Sequence, residues 1–208
     1  MNRVDLHLHS TASDGRLRPA DLVARAFETG LTVIALTDHD TVDGLPAALE
    51  AAARFPGLTV IPGVELSTDT PGGETHVLGY YIDAADPAFQ AALARFRDSR
   101  QGRARRMVEK LNEMGVGVSW DRVEEIAGDA SVGRPHIALA MLEKGYIQDF
   151  EQAFHGYIEN GGPAYVEREK VTPEEAVRLI IAAGGIPVLA HPVTTGNPEG
   201  TVAALEPA

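Results

Sequence analysis

The chain has no cysteine among its 208 residues. This absence excludes disulfide bonds, thiolate metal sites and a cysteine nucleophile. The sequence also lacks any apolar run near the roughly 18 residues that span a bilayer, and it shows no charged and then apolar leader at its N-terminus. Its hydrophobic content of 44% is ordinary for a protein with a buried core. We therefore expect a soluble, cytoplasmic protein.

Positive charge is scarce, since 18 Lys and Arg face 30 Asp and Glu and give a formal net charge of −12. An acidic surface disfavours long nucleic acids, because non-specific binding depends on neutralising phosphates. Seven basic residues nevertheless fall in one stretch, namely Arg95, Arg97, Arg100, Arg103, Arg105, Arg106 and Lys110. Two interpretations stay open for this stretch: a solvated helix face, or a local site for phosphate or RNA.

What the chain does have is histidine in short patterns that are typical of metal ligands. The patterns are Asp5-Leu6-His7-Leu8-His9, Thr37-Asp38-His39-Asp40, Glu65 with His76, Arg134-Pro135-His136 and Ala190-His191-Pro192. Only His155 lies outside such a setting, and we assign it no role. Histidine nitrogens and carboxylate oxygens together suit Zn²⁺, Mn²⁺ or Fe²⁺. A cluster of this kind indicates hydrolysis by a metal-activated water.

The spacing of these residues predicts that they meet. Val4, Leu6 and Leu8 alternate with polar residues and predict a strand, so His7 and His9 emerge on one face with Cα atoms roughly 7 Å apart. His39 follows the predicted strand Thr32–Thr37, and His191 follows the buried-type strand Ile186–Ala190. Residues at the C-terminal ends of parallel strands converge in α/β barrels, which is where active sites form.

Strands and helices alternate over residues 1–82, helices dominate residues 83–163, and the alternation resumes over residues 164–208. This pattern predicts an α/β layer or barrel with a helical insertion. The expected helices cover Pro19–Thr29, Leu45–Arg54, a long segment from Pro87 toward Met114 with a possible interruption at Gly102, Asp121–Ala127, Pro135–Lys144, Phe150–Glu159 and a segment that starts at Thr172. The other expected strands are Leu58–Ile61, Val64–Ser67 and Thr75–Ile82, the last two around a turn at Pro71-Gly72-Gly73.

The motifs resemble those of the PHP superfamily, named for polymerase and histidinol phosphatase domains. The residues that carry the resemblance are His7-Leu8-His9-Ser10, Asp14-Gly15, Thr37-Asp38-His39-Asp40, Gly63-Val64-Glu65, His76 and His191-Pro192. Their order and spacing match over essentially the whole chain. The helical block, with Gly133-Arg134-Pro135-His136 and Gly161-Gly162-Pro163, is similar to one subfamily, the 3′,5′-nucleoside bisphosphate phosphatases and related 5′→3′ exoribonucleases.

The resemblance implies a distorted (β/α)7 barrel, split by a helical insertion that caps the substrate, with up to three divalent ions (Mn²⁺, Zn²⁺ or Fe²⁺). It assigns His7, His9 and Glu65 to one metal, Glu65, His76 and His191 to a second, and Asp14 with His39 to the third. Arg134 and His136 would contact the substrate phosphate, because a guanidinium is a bidentate donor to phosphate oxygens. We further expect a catalytic role for Asp38 or Asp40 in orienting metal-bound water or a ligand histidine.

The family pattern ends with a further strand that carries Asp-x-His, and this sequence reaches Ala208 without that motif. On this basis we expect a barrel truncated before its last strands. The third metal would then have two protein ligands, fewer than the three of a usual catalytic site.

The sequence thus predicts a metal-dependent phosphoesterase that uses a metal-activated hydroxide. Its expected substrates are a nucleoside 3′,5′-bisphosphate, an AMP-like phosphomonoester or short RNA attacked from its 5′ end. Two alternatives stay open. An amidohydrolase shares the His-x-His strand motif but adds a lysine ligand, for which Lys170 is the available residue. A degenerate PHP-type domain would bind metal without activity.

Overall fold

The computed structural model describes residues 3–70, 73–128, 132–167, 171–192 and 198–205. The chain divides into two compact units. The first unit contains Met1–Ala94 and Lys170–Ala208, and the second contains Arg95–Glu169. Within the described residues, no helix is both long enough and apolar enough to cross a membrane.

The first unit is built on a five-stranded mixed sheet in the order β1-β2-β3-β4-β5. Its elements are β1 (Val4–Leu8), α1 (Pro19–Glu28), β2 (Val33–Leu36), α2 (Leu45–Ala52), β3 (Thr59–Thr70), β4 (Gly73–Tyr80), α7 (Pro173–Ala182), β5 (Ile186–Leu189) and α8 (Pro198–Leu205). Strands β1, β2 and β3 are parallel, whereas β4 is antiparallel to β3 and β5 is antiparallel to β4. β5 therefore points in the same direction as the first three strands, and the C-terminal ends of these four strands lie at the same end of the sheet.

The core of the first unit lies around β2, which is flanked by strands on both sides. Ile34 and Leu36 of β2 are buried together with Val64 and Leu66 of β3. Each such side chain contributes about 1.5–3 kcal/mol when it leaves water. At Gly63 an added Cβ would lie 3.0 Å from the carbonyl oxygens of both neighbouring strands. Only glycine permits this close approach, which comes two residues before Glu65.

The second unit is helical. It contains most of α3 (Pro87–Glu113), then α4 (Trp120–Ala127), α5 (Arg134–Glu143), α6 (Phe150–Ala153) and a π-helical turn (Phe154–Ile158). Its core includes Met107, Leu111, Val123, Ile137 and Met141. The side chain of Ser119 caps α4 by accepting from the backbone N–H of Arg122, as serine commonly does at this position.

The coarse α/β prediction is confirmed, and the expected helices are found within a few residues. Gly102 lies inside α3 without interrupting it. The two strands expected at Leu58–Ile61 and Val64–Ser67 form the single strand β3, because Pro62 and Gly63 continue the extended backbone. Pro71 and Gly72 of the predicted turn lie outside the described residues.

One expectation about the strands was wrong. The strand that precedes His191 is not of the buried type, since Ile186 is 55% exposed and Val188 is 41% exposed. β5 is the last strand of the sheet order, and a short apolar run does not distinguish a central strand from an edge strand. His76 lies within β4, which corresponds to the strand expected at Thr75–Ile82 and runs antiparallel to β3.

Candidate metal centre

Glu65 is the centre of the site, and its side chain is only 1% exposed. β3 extends past the end of β2, whose last pair is Leu36 with Pro62. Beyond that pair, the loop after β2 is hydrogen-bonded to β3. The N–H of Glu65 donates to the Asp38 carbonyl at 3.1 Å, and the N–H of Asp40 donates to the Glu65 carbonyl at 3.0 Å. These two bonds place His39 beside Glu65.

Five imidazoles surround the Glu65 carboxylate. Three of them face Oε2, namely His7 Nε2 at 2.8 Å, His9 Nε2 at 3.0 Å and His39 Nδ1 at 3.6 Å. The other two face Oε1, namely His76 Nδ1 at 2.8 Å and His191 Nε2 at 3.0 Å. Neighbouring rings lie 4.7–5.9 Å apart between centroids. The structure therefore brings together all five histidines that the sequence predicted as ligands.

Each ligand-bearing segment positions its side chain for a local reason. His7 lies on β1 and His9 directly follows its last residue, and their ring centroids lie 5.0 Å apart. His76 is directly opposite Ser67 in the β3–β4 ladder, which puts it on the same face as Glu65. His191 follows β5 with a φ of 30°, a left-handed conformation that is unusual outside glycine. Such backbone strain is concentrated at functional sites.

Asp14 adds a second carboxylate at one side of the cluster. Its Oδ1 lies 3.2 Å from His9 Nδ1, and its Oδ2 lies 3.8 Å from His39 Nε2. His9 thus faces Glu65 with one ring nitrogen and Asp14 with the other. Among the described residues, three sets offer ligand atoms within 4.8 Å of one another: His7, His9 and Glu65; His9, Asp14 and His39; and His39, Glu65 and His76.

The electrostatics of the cluster suit a cation. Burial opposes ionisation of Glu65, yet hydrogen bonds from His7, His76 and His9 hold the pKa of its carboxyl well below its usual range. Burial also lowers the pKa of His9, but hydrogen bonds to Asp14 and Glu65 outweigh it and raise this pKa to about 9. Without a metal, nitrogens this close to carboxylate oxygens must carry protons. A divalent cation replaces those protons, so the donor set fits Zn²⁺, Mn²⁺ or Fe²⁺.

Asp38 and Asp40, expected to orient water or a ligand histidine, make hydrogen bonds to serine residues. Asp38 Oδ1 accepts from the Ser10 N–H at 2.7 Å and from the Ser13 hydroxyl at 2.6 Å, while its Oδ2 accepts from the Ser10 hydroxyl at 2.7 Å. Asp40 Oδ1 accepts from the Ser67 N–H at 2.9 Å. Sequence reasoning overlooked Ser13. The signal that could have found it is the density of small polar residues in the turn Ser10–Gly15.

Arg134 and His136, the expected phosphate contacts, belong to the second unit at the start of α5. His136 is buried, and its Nδ1 accepts from the Gly133 N–H at 3.0 Å. This bond satisfies one of the N–H groups at the helix start. The Arg134 guanidinium lies over the Phe154 ring at 5.6 Å. Both residues thus have structural contacts within their own unit.

The basic stretch of α3 has structural contacts as well. Arg103 is buried, and its Nε donates to the Val166 carbonyl at 2.7 Å. Lys110 Nζ donates to the Tyr165 carbonyl at 2.7 Å, and the Arg105 guanidinium lies over the Trp120 ring at 5.6 Å. His155, which had no assigned role, is exposed and pairs with Glu159 at 3.1 Å. Lys170, the candidate amidohydrolase ligand, lies outside the described residues.

Comparison with known proteins identifies a family and several relatives that this chain resembles in sequence. The PHP domain profile matches residues 5–178. The chain is 39% identical over 191 residues to a 5′-3′ exoribonuclease of Haemophilus influenzae, covering 92% of this chain and 69% of that protein. It is 37% identical over 193 residues to a 3′,5′-nucleoside bisphosphate phosphatase of Chromobacterium violaceum, covering 92% and 67%. The chain thus spans about two thirds of the length of these curated relatives.

Two solved structures share the fold. A protein of Bifidobacterium adolescentis named as a metal-dependent phosphoesterase matches with a TM-score of 0.89 and 28% identity, covering 97% of this chain and 73% of that one. A protein of Chromobacterium violaceum named as an amidohydrolase, with bound sulfate and no metal, matches with a TM-score of 0.89 and 34% identity, covering 97% and 72%. These matches confirm the resemblance that the sequence motifs carried.

Proposed function

Because the chain belongs to the PHP family, we propose that it is a metal-dependent phosphoesterase that hydrolyses phosphate esters of nucleotides. The observation that carries this proposal is one buried carboxylate, Glu65, with five imidazole nitrogens within 3.6 Å. A bound divalent cation supplies a Lewis acid that lowers the pKa of water and neutralises phosphate charge. The chain needs no serine or cysteine nucleophile for this chemistry.

We assign the ligands as the family resemblance implies. His7, His9 and Glu65 hold one ion, and Glu65 together with His76 and His191 holds a second. Asp14 and His39 hold the third ion. His9 Nδ1 lies 3.2 Å from Asp14 Oδ1, so His9 lies beside this third site as well. The distances from Glu65 to His7, His9, His76 and His191, and from Asp14 to His39, support the assignment. That the ions are Mn²⁺, Zn²⁺ or Fe²⁺, and that they number up to three, is part of the proposal.

The proposed substrates follow from the relatives. One relative is named as a phosphatase of 3′,5′-nucleoside bisphosphates and another as an exoribonuclease, and both activities hydrolyse a phosphate ester beside a ribose. A structural relative holds sulfate, which shares its tetrahedral shape and negative charge with phosphate. We propose that Arg134 binds such a group through its guanidinium, with His136 beside it.

The finer features of the fold are proposals too. We propose that the helical unit is the insertion expected at residues 83–163, within a barrel formed by residues 1–82 and 164–208. The (β/α)7 strand count and the cytoplasmic location remain predictions of the sequence.

The test is phosphate release by the purified protein. It is assayed on adenosine 3′,5′-bisphosphate, on AMP and on a 5′-phosphorylated oligoribonucleotide, with added Mn²⁺ and again after EDTA treatment. Turnover that requires the metal and falls in Glu65→Gln but not in Glu50→Gln supports the proposal, since Glu50 is an exposed glutamate on α2. Full metal occupancy without turnover indicates a degenerate domain. Cleavage of an N-acyl amino acid in place of phosphate esters indicates an amidohydrolase.

A further inference from the structure

We propose that the two aspartates that flank His39 are positioning residues that hold the neighbouring ligand-bearing segments against it. Asp38 holds the turn that carries Asp14, and Asp40 holds the part of β3 that carries Glu65. The inference rests on the proposed metal centre and assigns these carboxylates a role other than contact with metal or substrate.

Asp38 holds the turn Ser10–Gly15 through its first residue. Ser10 is the hub of this turn, because its carbonyl accepts from the N–H groups of Ser13 and Gly15, and its hydroxyl accepts from the N–H of Ala12. The Asp38 carboxylate binds both the N–H and the hydroxyl of Ser10. An added Cβ at Gly15 would collide with the His9 carbonyl, so the turn is tightly folded against β1.

Ser13 links Asp38 to the ligands themselves. A serine hydroxyl has a single proton, and its 2.6 Å contact with Asp38 is far shorter than its 3.4 Å contact with Asp14 Oδ1. Because the Ser13 hydroxyl donates this proton to Asp38, its oxygen presents lone pairs to His9 Nδ1 at 3.5 Å. Asp38 is 2% exposed and Ser13 is also 2% exposed, so water does not replace these bonds easily. The link runs from Asp38 through the Ser13 hydroxyl to His9, and along the backbone from Ser13 to the adjacent Asp14.

Asp40 makes the equivalent link to β3. Its N–H donates to the Glu65 carbonyl, and its Oδ1 accepts from the N–H of Ser67 two residues later. The two bonds therefore bracket Glu65. Asp40 has a φ of 52°, a conformation that aspartate and asparagine tolerate better than most residues because their side chains bond locally.

Neither aspartate belongs to the three candidate ligand sets found among the described residues. Second-layer hydrogen bonds of this kind orient metal ligands, and their loss costs about 10- to 100-fold in metal affinity. A competing explanation is purely electrostatic: each buried carboxylate attracts a cation whatever its geometry. Ser13→Ala separates the two explanations, because it removes the link from Asp38 through Ser13 while the Asp38 charge and its bonds to Ser10 stay.

The experiment is a double-mutant cycle read by Mn²⁺ titration of the metal-free protein. The variants are Asp38→Asn, Ser13→Ala and their combination, with Asp43→Asn as the matched control, an exposed aspartate of the same loop. We expect each single variant to weaken the apparent Mn²⁺ affinity by about 10- to 100-fold. The double variant should bind Mn²⁺ no more weakly than the single variant with the larger loss, because both changes break the same link. Asp43→Asn should match wild type.

Asp40 is tested by a conservative pair. Asp40→Asn keeps an acceptor for the Ser67 N–H and tolerates the left-handed backbone, so it should retain most of the Mn²⁺ affinity. Asp40→Ala loses both features and should weaken the affinity about 10-fold or more. In the variants that lose affinity, excess Mn²⁺ should restore kcat and leave KM unchanged, whereas loss of a substrate contact would raise KM at saturating metal.

Wild-type affinity in Ser13→Ala alongside a large loss in Asp38→Asn would make the effect electrostatic and overturn the positioning role. Wild-type affinity in Asp38→Asn and Asp40→Ala would overturn it as well. If the protein binds Mn²⁺ but does not hydrolyse phosphate esters, the proposed function is wrong and this inference still stands. If wild type binds no metal, crystal structures decide. An Asp14–His9 separation that stays at 3.2 Å in metal-free Ser13→Ala would overturn the proposal, and a displaced Asp14 would support it.

Discussion

The metal centre of the first unit and the basic residues of the second unit differ in how far structural contacts alone account for their side chains. The centre combines histidines from β1, from β4 and from the segments that follow β1, β2 and β5 around one buried carboxylate. The charged residues of the helical unit make contacts that explain them without any ligand, such as Arg103 on the Val166 carbonyl and Arg134 over Phe154. Five histidines beside a single carboxylate have no comparable structural purpose. Convergence from distant segments therefore indicates function more strongly than clustering of charge along one helix.

Removal of the Glu65 carboxylate should cause the largest loss of metal binding and activity, and that loss should arise in the first unit. We expect Glu65→Gln to lower metal content and to reduce kcat/KM by more than about 100-fold, beyond what loss of an outer partner causes, because the five imidazoles lose the shared negative charge and one of its two acceptor oxygens. Elemental analysis and phosphate release measure the two quantities. Glu50→Gln, with an exposed side chain, is the control, and an equal loss in both variants would place the effect on folding.

Loss of one histidine should have a smaller effect, confined to the first unit. We expect His7→Ala to lower the bound Mn²⁺ by about one equivalent, since a catalytic ion usually has about three protein ligands. His155→Ala should bind the same amount as wild type, because His155 is exposed and contacts only Glu159 among the described pairs. Both are read by elemental analysis of protein purified without chelator. Unchanged metal content in His7→Ala would remove His7 from the ligand set.

The helical unit is probed by a pair of arginines that make similar cation–π contacts. Arg134 and Arg105 each lie 5.6 Å from an aromatic ring centroid, so their alanine variants lose a similar cation–π contact. If Arg134 also binds phosphate, Arg134→Ala loses about 1.5–3 kcal/mol more, or roughly 10- to 100-fold in kcat/KM. Metal content should not change. Equal kcat/KM in the two variants would show that Arg134 has only the structural contact.

The sequence predicted those parts of the site that depend on local pattern. The alternation around His7 and His9 and the position of His39 after β2 are short-range features, and the structure has them as expected. The placement of His76 beside Glu65 depends on antiparallel pairing of β3 with β4, which periodicity does not specify. The Asp38–Ser13 bond joins residues 25 positions apart. The exposure of β5 depends on its place in the sheet order, which no local pattern encodes.

The smallest expected effect is a pH dependence that belongs to the first unit without its metal. The pKa of His9 rises to about 9 in the folded protein, against an ordinary value of 6.5, because its hydrogen bonds to Asp14 and Glu65 outweigh the effect of burial. A raised pKa stabilises the folded state fully below pH 6.5, and this contribution disappears as the pH rises through about 9. The depressed pKa of Glu65 acts in the opposite direction and contributes above pH 4.5. Hence the metal-free protein should be most stable between about pH 4.5 and 6.5.

Urea unfolding in EDTA at pH 6 and pH 9 measures this difference. We expect the free energy of unfolding of wild type to be lower at pH 9, and we expect His9→Asn to lose much of that decline because it has no proton to release. Bound Mn²⁺ should reverse the trend, since metal competes with protons for the same nitrogens and binds better at higher pH. A wild-type decline that persists unchanged in His9→Asn would move its origin away from the metal centre.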